Sequence, residues 1–197
     1  DDLIERYGIE NVPPIMDNIK KIIAYLLSGI FMYLFANDLF GNKLAALASS
    51  ILYLWAPYHF LTILVSAAMG AAFVFAFLPI ILWGIYRGNA VIIAVGISGS
   101  ILSHLITTVS LVPLITLFSI WALKVRPENH RKIPYGIILG AGLATFYILP
   151  AIFYSQEIQA SSGTFSELYK KQFVSLSQLV YSKWGYGIVN LSAKEGA

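Results

Sequence analysis

Cysteine is absent from these 197 residues, which excludes a disulfide framework and any thiolate metal site. Charge is scarce too. Asp, Glu, Lys and Arg make up 12% of the chain, about half the roughly 25% usual for a soluble domain. No GxxxxGK[ST] loop, no HExxH helix and no metal-spaced grouping of His with acidic residues occurs. Soluble-type catalytic constellations are therefore almost excluded. The chain opens Asp1-Asp2-Leu3 without a basic leader region, so no cleavable signal peptide is visible. No internal repeat or low-complexity segment stands out. With no initiator Met, the chain is expected to be a fragment of a longer protein.

What fills the chain is apolar sequence: 58% of residues are hydrophobic and the mean hydropathy is +0.74. Leu44 to Tyr86 contains no Asp, Glu, Lys or Arg across 43 residues. As one helix it would extend about 65 Å, twice the hydrocarbon thickness of a bilayer. It has to cross twice, with a break near its middle. Pro57 supplies the break, because proline lacks a backbone donor and biases its predecessor away from helix. Pro57-Tyr58-His59 is then a hairpin corner at a membrane surface. Asn89 to Leu123 is a second uncharged run, of 35 residues, with a corner expected at Ser103-His104. The predicted fold is all-α: a polytopic bundle of about six spans, at 19–38, 43–58, 68–86, 89–104, 106–124 and 133–154. Residues 1–18 form an outer-face segment, 19–154 the transmembrane bundle, and 155–197 an outer-face helix and tail.

Basic residues set the orientation. One set of connections carries Lys43, Arg87, Lys124, Arg126, Arg131 and Lys132. The other carries the two histidine corners, which have no Lys or Arg, and an acidic amino-terminal segment. By the positive-inside rule the first set is cytoplasmic and both chain ends are extracytoplasmic, in a plasma membrane. The net charge of +3 thus belongs to membrane topology, and no nucleic-acid partner is implied. Beyond Glu157, residues Phe165, Leu168, Phe173, Leu176, Leu179 and Val180 share one helical stripe, with Trp184 and Tyr186 as interfacial anchors. That pattern predicts an amphipathic helix lying on the outer surface. His59 and His104 are the ionisable groups near the middle of the long apolar runs. With Tyr58 they are the candidate substrate-binding residues, rimming an outward cavity walled by Trp55, Phe60 and Leu105. Against this stands the plainer reading of interfacial histidines wetted by water. Catalytic residues are not identified, and no metal ligands are assigned.

The order of several short pieces carries a resemblance. They are Met32-Tyr33-Leu34-Phe35 leading to Leu39-Phe40-Gly41, Leu52-Tyr53 with Ala56-Pro57-Tyr58-His59, and Phe77-Leu78-Pro79. Ser103-His104, Phe146-Tyr147 with Leu149-Pro150-Ala151, and Gln178-Leu179 with Trp184-Gly185-Tyr186-Gly187 follow. Across most of residues 25 to 187 the chain resembles membrane glycosyltransferases of the GT-C superfamily, nearest the branch labelled 6-pyruvoyl-tetrahydropterin-synthase-related membrane proteins. The resemblance implies a polyprenyl-phosphate sugar as donor, transfer on the outer face, and a catalytic Asp or Glu upstream of residue 1. A divalent metal is implied by the resemblance only. Members tend to carry an Arg and a Glu just after the Pro-Tyr-His corner, where this chain reads Ser66 and Ala71. The leading expectation is therefore part of a GT-C-like glycosyltransferase in contact with membrane lipid. The alternatives are a non-enzymatic transporter or lipid-handling protein, and a structural membrane subunit.

Overall fold

The computed structural model describes residues 12–64 and 69–154. They form eight α-helices and one short 3-10 turn, with no strand among the described residues. The helices are α1 (Val12–Phe40), α2 (Lys43–Leu54), α3 (Pro57–Leu64), α4 (Met69–Arg87), α5 (Ala90–Ser103), α6 (Leu105–Val125), α7 (Lys132–Leu143) and α8 (Thr145–Phe153). Pro127–Asn129 is the 3-10 turn between α6 and α7. Residues up to Thr145 make one compact unit, and Phe146 onward belongs to a second.

Local chemistry explains the first and third reversals. Gly41 and Gly88 take positive φ values of 63° and 62°, the left-handed conformation that glycine adopts without a Cβ penalty. Each is followed by an asparagine that caps the next helix. Asn42 Oδ1 accepts from the Leu44 and Ala45 amides at 2.8 and 3.2 Å, and Asn89 Oδ1 from Val91 and Ile92 at 3.0 and 3.2 Å. Such caps are worth about 1 kcal/mol each. One Gly-Asn device therefore turns the chain twice at the same end of the bundle.

Contacts along the helices fix their directions. Asp38 of α1 meets Trp83 and Arg87 of α4, while Ala24 and Tyr25 pack with Ala72 and Phe73. Hence α1 and α4 run parallel. Tyr86 of α4 stacks on Trp121 of α6 at 6.4 Å, and Gly70, near the start of α4, abuts the Ser103-His104 corner, so α6 runs parallel to both. Between them α2 and α5 run back, and α7 lies alongside α5 in the same direction, its Gly136 and Gly140 against Ala90, Ile93, Ala94 and Ile97. One end of this unit gathers six of the eight described Lys and Arg residues (the basic end), and Lys20-Lys21 lie near the opposite end of α1. The other carries the two histidine corners (the histidine end).

Six spans were expected; the described residues hold fewer helices of spanning length. Three stretches are long and apolar enough to cross a membrane: Asn18–Phe40, Met69–Arg87 and Leu105–Val125. A fourth appears if Pro127–Leu143 and Thr145–Phe153 count as one interrupted span. All three run in one direction. The returning α2 and α5 have 12 and 14 residues, only about 18 and 21 Å of helix against a hydrocarbon core of about 30 Å. The expected 43–58 span ends at Leu54, the 89–104 span is α5, and the 133–154 span is divided between α7 and α8. The expected surface helix at 165–182 lies outside the described residues.

α4 is the central element. More than half of its span (56%) is buried, against 28% for α1 and 22% for α6. Its partner α5 comes close because glycines remove side chains from the contact: a Cβ on Gly84 would meet Ile93 backbone N at 2.8 Å, and one on Gly96 would meet Ile81 Cγ1 at 2.7 Å. In α7, a Cβ on Gly140 would meet Ile97 Cβ at 2.7 Å and the Ala94 carbonyl at 2.8 Å, whereas one on Gly142 would meet nothing within 4 Å among the described residues. Opposite signs follow. Gly140→Ala should destabilise the purified protein by about 1–3 kcal/mol through overpacking. Gly142→Ala should stabilise it by up to about 1 kcal/mol through helix propensity. Thermal unfolding in one detergent checks both; equal effects would mean that α5 and α7 do not touch through Gly140.

Candidate functional site

Two prolines create the chemistry at the histidine end. Pro79, inside α4, has no N–H to offer the carbonyl of Phe75 one turn earlier. That carbonyl accepts instead from the hydroxyl of Tyr53, at 2.7 Å. Pro57, opening α3, likewise leaves the Tyr53 carbonyl without its helical donor. That oxygen lies 3.1 Å from His59 Nδ1 and also receives the Ala56 amide at 3.3 Å. A carbonyl only accepts, so Nδ1 carries the hydrogen. The two repairs are joined through Tyr53, which donates with its side chain and accepts with its backbone.

The network continues into α1. His59 Nε2 faces Ser28 Oγ at 3.4 Å, and Ser28 donates to the Tyr25 carbonyl at 2.7 Å. The Tyr25 hydroxyl donates to the Leu54 carbonyl at the end of α2, at 3.2 Å. Ser50 of α2 returns a bond to the Gly29 carbonyl at 2.7 Å. Around the imidazole stand the rings of Phe75, Tyr53 and Tyr25, with centroids at 4.8, 5.2 and 5.5 Å. His59 is 1% exposed. The group is thus a buried imidazole tying α1, α2, α3 and α4 together, and not a water-wetted corner residue.

Nor does the Pro57 break lie at the end of the bundle. Tyr53 and His59 meet α4 at Phe75, six residues and about 9 Å of rise beyond Met69. On α1 they lie level with Tyr25, about 10 Å beyond Asn18. The chain breaks inside the depth spanned by the two long helices.

The other candidates are placed differently. Tyr58 is 67% exposed, with its ring edge toward Phe75 at 5.9 Å. His104 is a half-buried helix cap. Its Nδ1 accepts from the Thr107 amide at 3.2 Å and bonds the Thr107 hydroxyl at 2.8 Å, and its carbonyl accepts from the Thr108 hydroxyl at 2.9 Å. Ser100 and Thr108 close the corner with a 2.9 Å bond. His104 rests on Gly70 and His59 on Phe75. Five residues of helix separate these supports by about 140° around α4. The two imidazoles therefore pack against different sides of one helix. Of the expected apolar walls, Trp55 is exposed and Leu105 half-buried, while the side chain of Phe60 lies outside the described residues.

A second polar cluster, at the basic end, is one that linear reading passed over. Asp38 Oδ2 accepts the Trp83 indole N–H at 2.6 Å and bonds Arg87 Nε. The sequence signal was a lone Asp at the end of one apolar run and a lone Arg at the end of another. Their pairing across 49 positions needed the parallel packing of α1 and α4. Among the described residues no group of three or more His, Asp or Glu could hold a metal ion.

The proline repair makes a thermodynamic cycle. Tyr53→Phe should cost about 1–3 kcal/mol by orphaning the Phe75 carbonyl. In a Pro79→Ala background, residue 79 supplies its own N–H and the same substitution should cost clearly less. Unfolding free energies of the four proteins in one detergent measure the coupling; additivity would show that the hydroxyl does not serve the proline. Comparison of the chain with protein-family models, with curated proteins and with solved structures gives no match.

Proposed function

We propose that this chain is the membrane-embedded part of a multi-span integral membrane protein, with α1, α4 and α6 crossing in one direction and α2, α5 and α7 forming the shorter returning arms. The observation that carries this is the outer face of α6, where Ile106, Val109, Val112, Leu114 and Leu117 are all exposed on a 21-residue helix only 22% buried. Ile22, Leu26 and Ile30 repeat the pattern on α1. Soluble monomers rarely expose contiguous apolar surface beyond a few hundred Å², and hydrocarbon is the solvent that suits it. The basic end faces the cytoplasm, since Lys43, Arg87, Lys124, Arg126, Arg131 and Lys132 gather there. The cysteine-free chain makes the test direct. A single cysteine at Ser66, between α3 and α4, should react with an impermeant thiol reagent outside intact cells, and one at Glu128 should not. The reverse pattern would invert the orientation; labelling of both in sealed cells would end the membrane reading.

Within that frame the finer proposal is sugar transfer of the GT-C kind from a polyprenyl-phosphate donor at the histidine end. Its support is the ordered resemblance from Met32 to Gly187. The two carboxylates whose side chains are described beside the bundle, Asp38 and Glu128, lie at the basic end. The resemblance places the base that deprotonates the acceptor upstream of residue 1. Tyr58 is the candidate that presents its side chain outward, so Tyr58→Ala should slow release of polyprenyl phosphate by full-length protein in proteoliposomes. His59→Ala should instead lower the yield of folded protein. Donor movement across the vesicle without bond cleavage would favour the lipid-handling alternative.

A further inference from the structure

The basic end holds an arrangement that neither the histidine-end network nor the sugar-transfer reading uses. Arg87 closes α4 and Arg126 follows α6. The Arg87 guanidinium lies over the Trp83 ring at 4.5 Å and that of Arg126 over the Tyr86 ring at 4.3 Å. Tyr86 in turn stacks on Trp121, with the planes 12° apart. Aromatic faces thus hold both cations in position at the ends of two neighbouring parallel helices.

Their charge is not balanced locally. Asp38 bonds Arg87 through Nε. Lys43, Lys124, Arg131 and Lys132 lie at the same end, with Glu128 as the other described carboxylate there. Six cations against two anions leave an excess of four among the described residues. The Arg87 side chain is 49% exposed, so its terminal nitrogens are accessible to an oxyanion. Guanidinium forks suit phosphate oxygens in particular.

Position selects the kind of phosphate. Both arginines stand where the apolar lengths of α4 and α6 stop. One to three turns back along α6, Leu117, Ile120 and Trp121 are exposed. A ligand that meets the cations with a phosphate and this strip with a hydrocarbon chain is an amphiphile, not a free anion. The local excess of positive charge offers nothing to a choline ammonium group.

We propose that Arg87 and Arg126 form a binding site for the phosphate of an anionic phospholipid, whose acyl chain lies along Leu117 and Trp121 of α6. The site rests on the membrane reading above. It gives the basic end a specific lipid partner in addition to its part in topology.

The test uses the full chain in phosphatidylcholine vesicles, with Trp55→Phe and Trp184→Phe leaving Trp83 and Trp121 as reporters. Phosphatidylglycerol or phosphatidylcholine with brominated acyl chains is added at equal mole fraction. Brominated phosphatidylglycerol should quench the two tryptophans at a several-fold lower mole fraction. Arg126→Gln should reduce that preference about fivefold, the weight of one cation near a charged headgroup. Arg126→Lys keeps the charge but not the fork or the stacking, and should retain only part of it. Excess inorganic phosphate should not displace the lipid; displacement would replace the lipid by a free anion as the ligand. Equal quenching by the two lipids, or a preference unchanged in Arg126→Gln, overturns the site and leaves the membrane reading intact. No quenching by either lipid overturns both.

Discussion

A backbone carbonyl removed from water has to find a donor, and two prolines in this bundle each take one away. The Phe75 carbonyl loses its i+4 donor to Pro79, and the Tyr53 carbonyl loses its own to Pro57 and keeps the Ala56 amide at 3.3 Å. Leaving a polar backbone group unsatisfied in hydrocarbon costs several kcal/mol. Both losses are met by one sequence segment, Tyr53 through its hydroxyl and His59 through its imidazole. The bonds fasten the end of α2 to the middle of α4, and Tyr25 and Ser28 add α1. Four helices are thereby set by the need to repair two breaks.

That constraint explains why the returning arms are short. α2 ends where its Tyr53 can reach Phe75, and the chain restarts at Pro57 within the depth of its neighbours. α5 packs on α4 through Gly84 and Gly96 and stops at a corner that His104 caps. The long helices α1, α4 and α6 carry the apolar surface, and the short ones fill between them. Such interrupted elements are tolerated at membrane depth where protein, and not lipid, surrounds the broken backbone. The three aromatic rings around His59 provide that surrounding.

Much of the fold class could be read from residues alone. Leu44 to Tyr86 is too long and too uncharged for one crossing, so a break near Pro57 was required, and six of the eight described Lys and Arg residues gather at one of the two ends that the helix directions define. The depth of that break was not legible, because it depends on which neighbour Tyr53 meets. His59 stands beside an exposed Tyr58 in the chain, and nothing local shows that one turns inward and the other outward. The proline at 79 does announce an orphan carbonyl at 75, but its donor lies 22 positions earlier and is chosen by tertiary packing. Asp38 and Arg87 looked like separate span ends for the same reason. Six spans were expected because charge marks where a run stops, whereas helix length is set by caps and breaks inside it.

His59 and Tyr53 thus hold the helices together at the histidine end. The claim is tested most directly by isotope-edited infrared spectroscopy of the protein carrying a single labelled carbonyl at Phe75. A band at the frequency of a hydrogen-bonded carbonyl, moving up on Tyr53→Phe and returning when Pro79→Ala is added, is the result expected. A band already at the frequency of a free carbonyl, or one indifferent to Tyr53→Phe, would contradict the account.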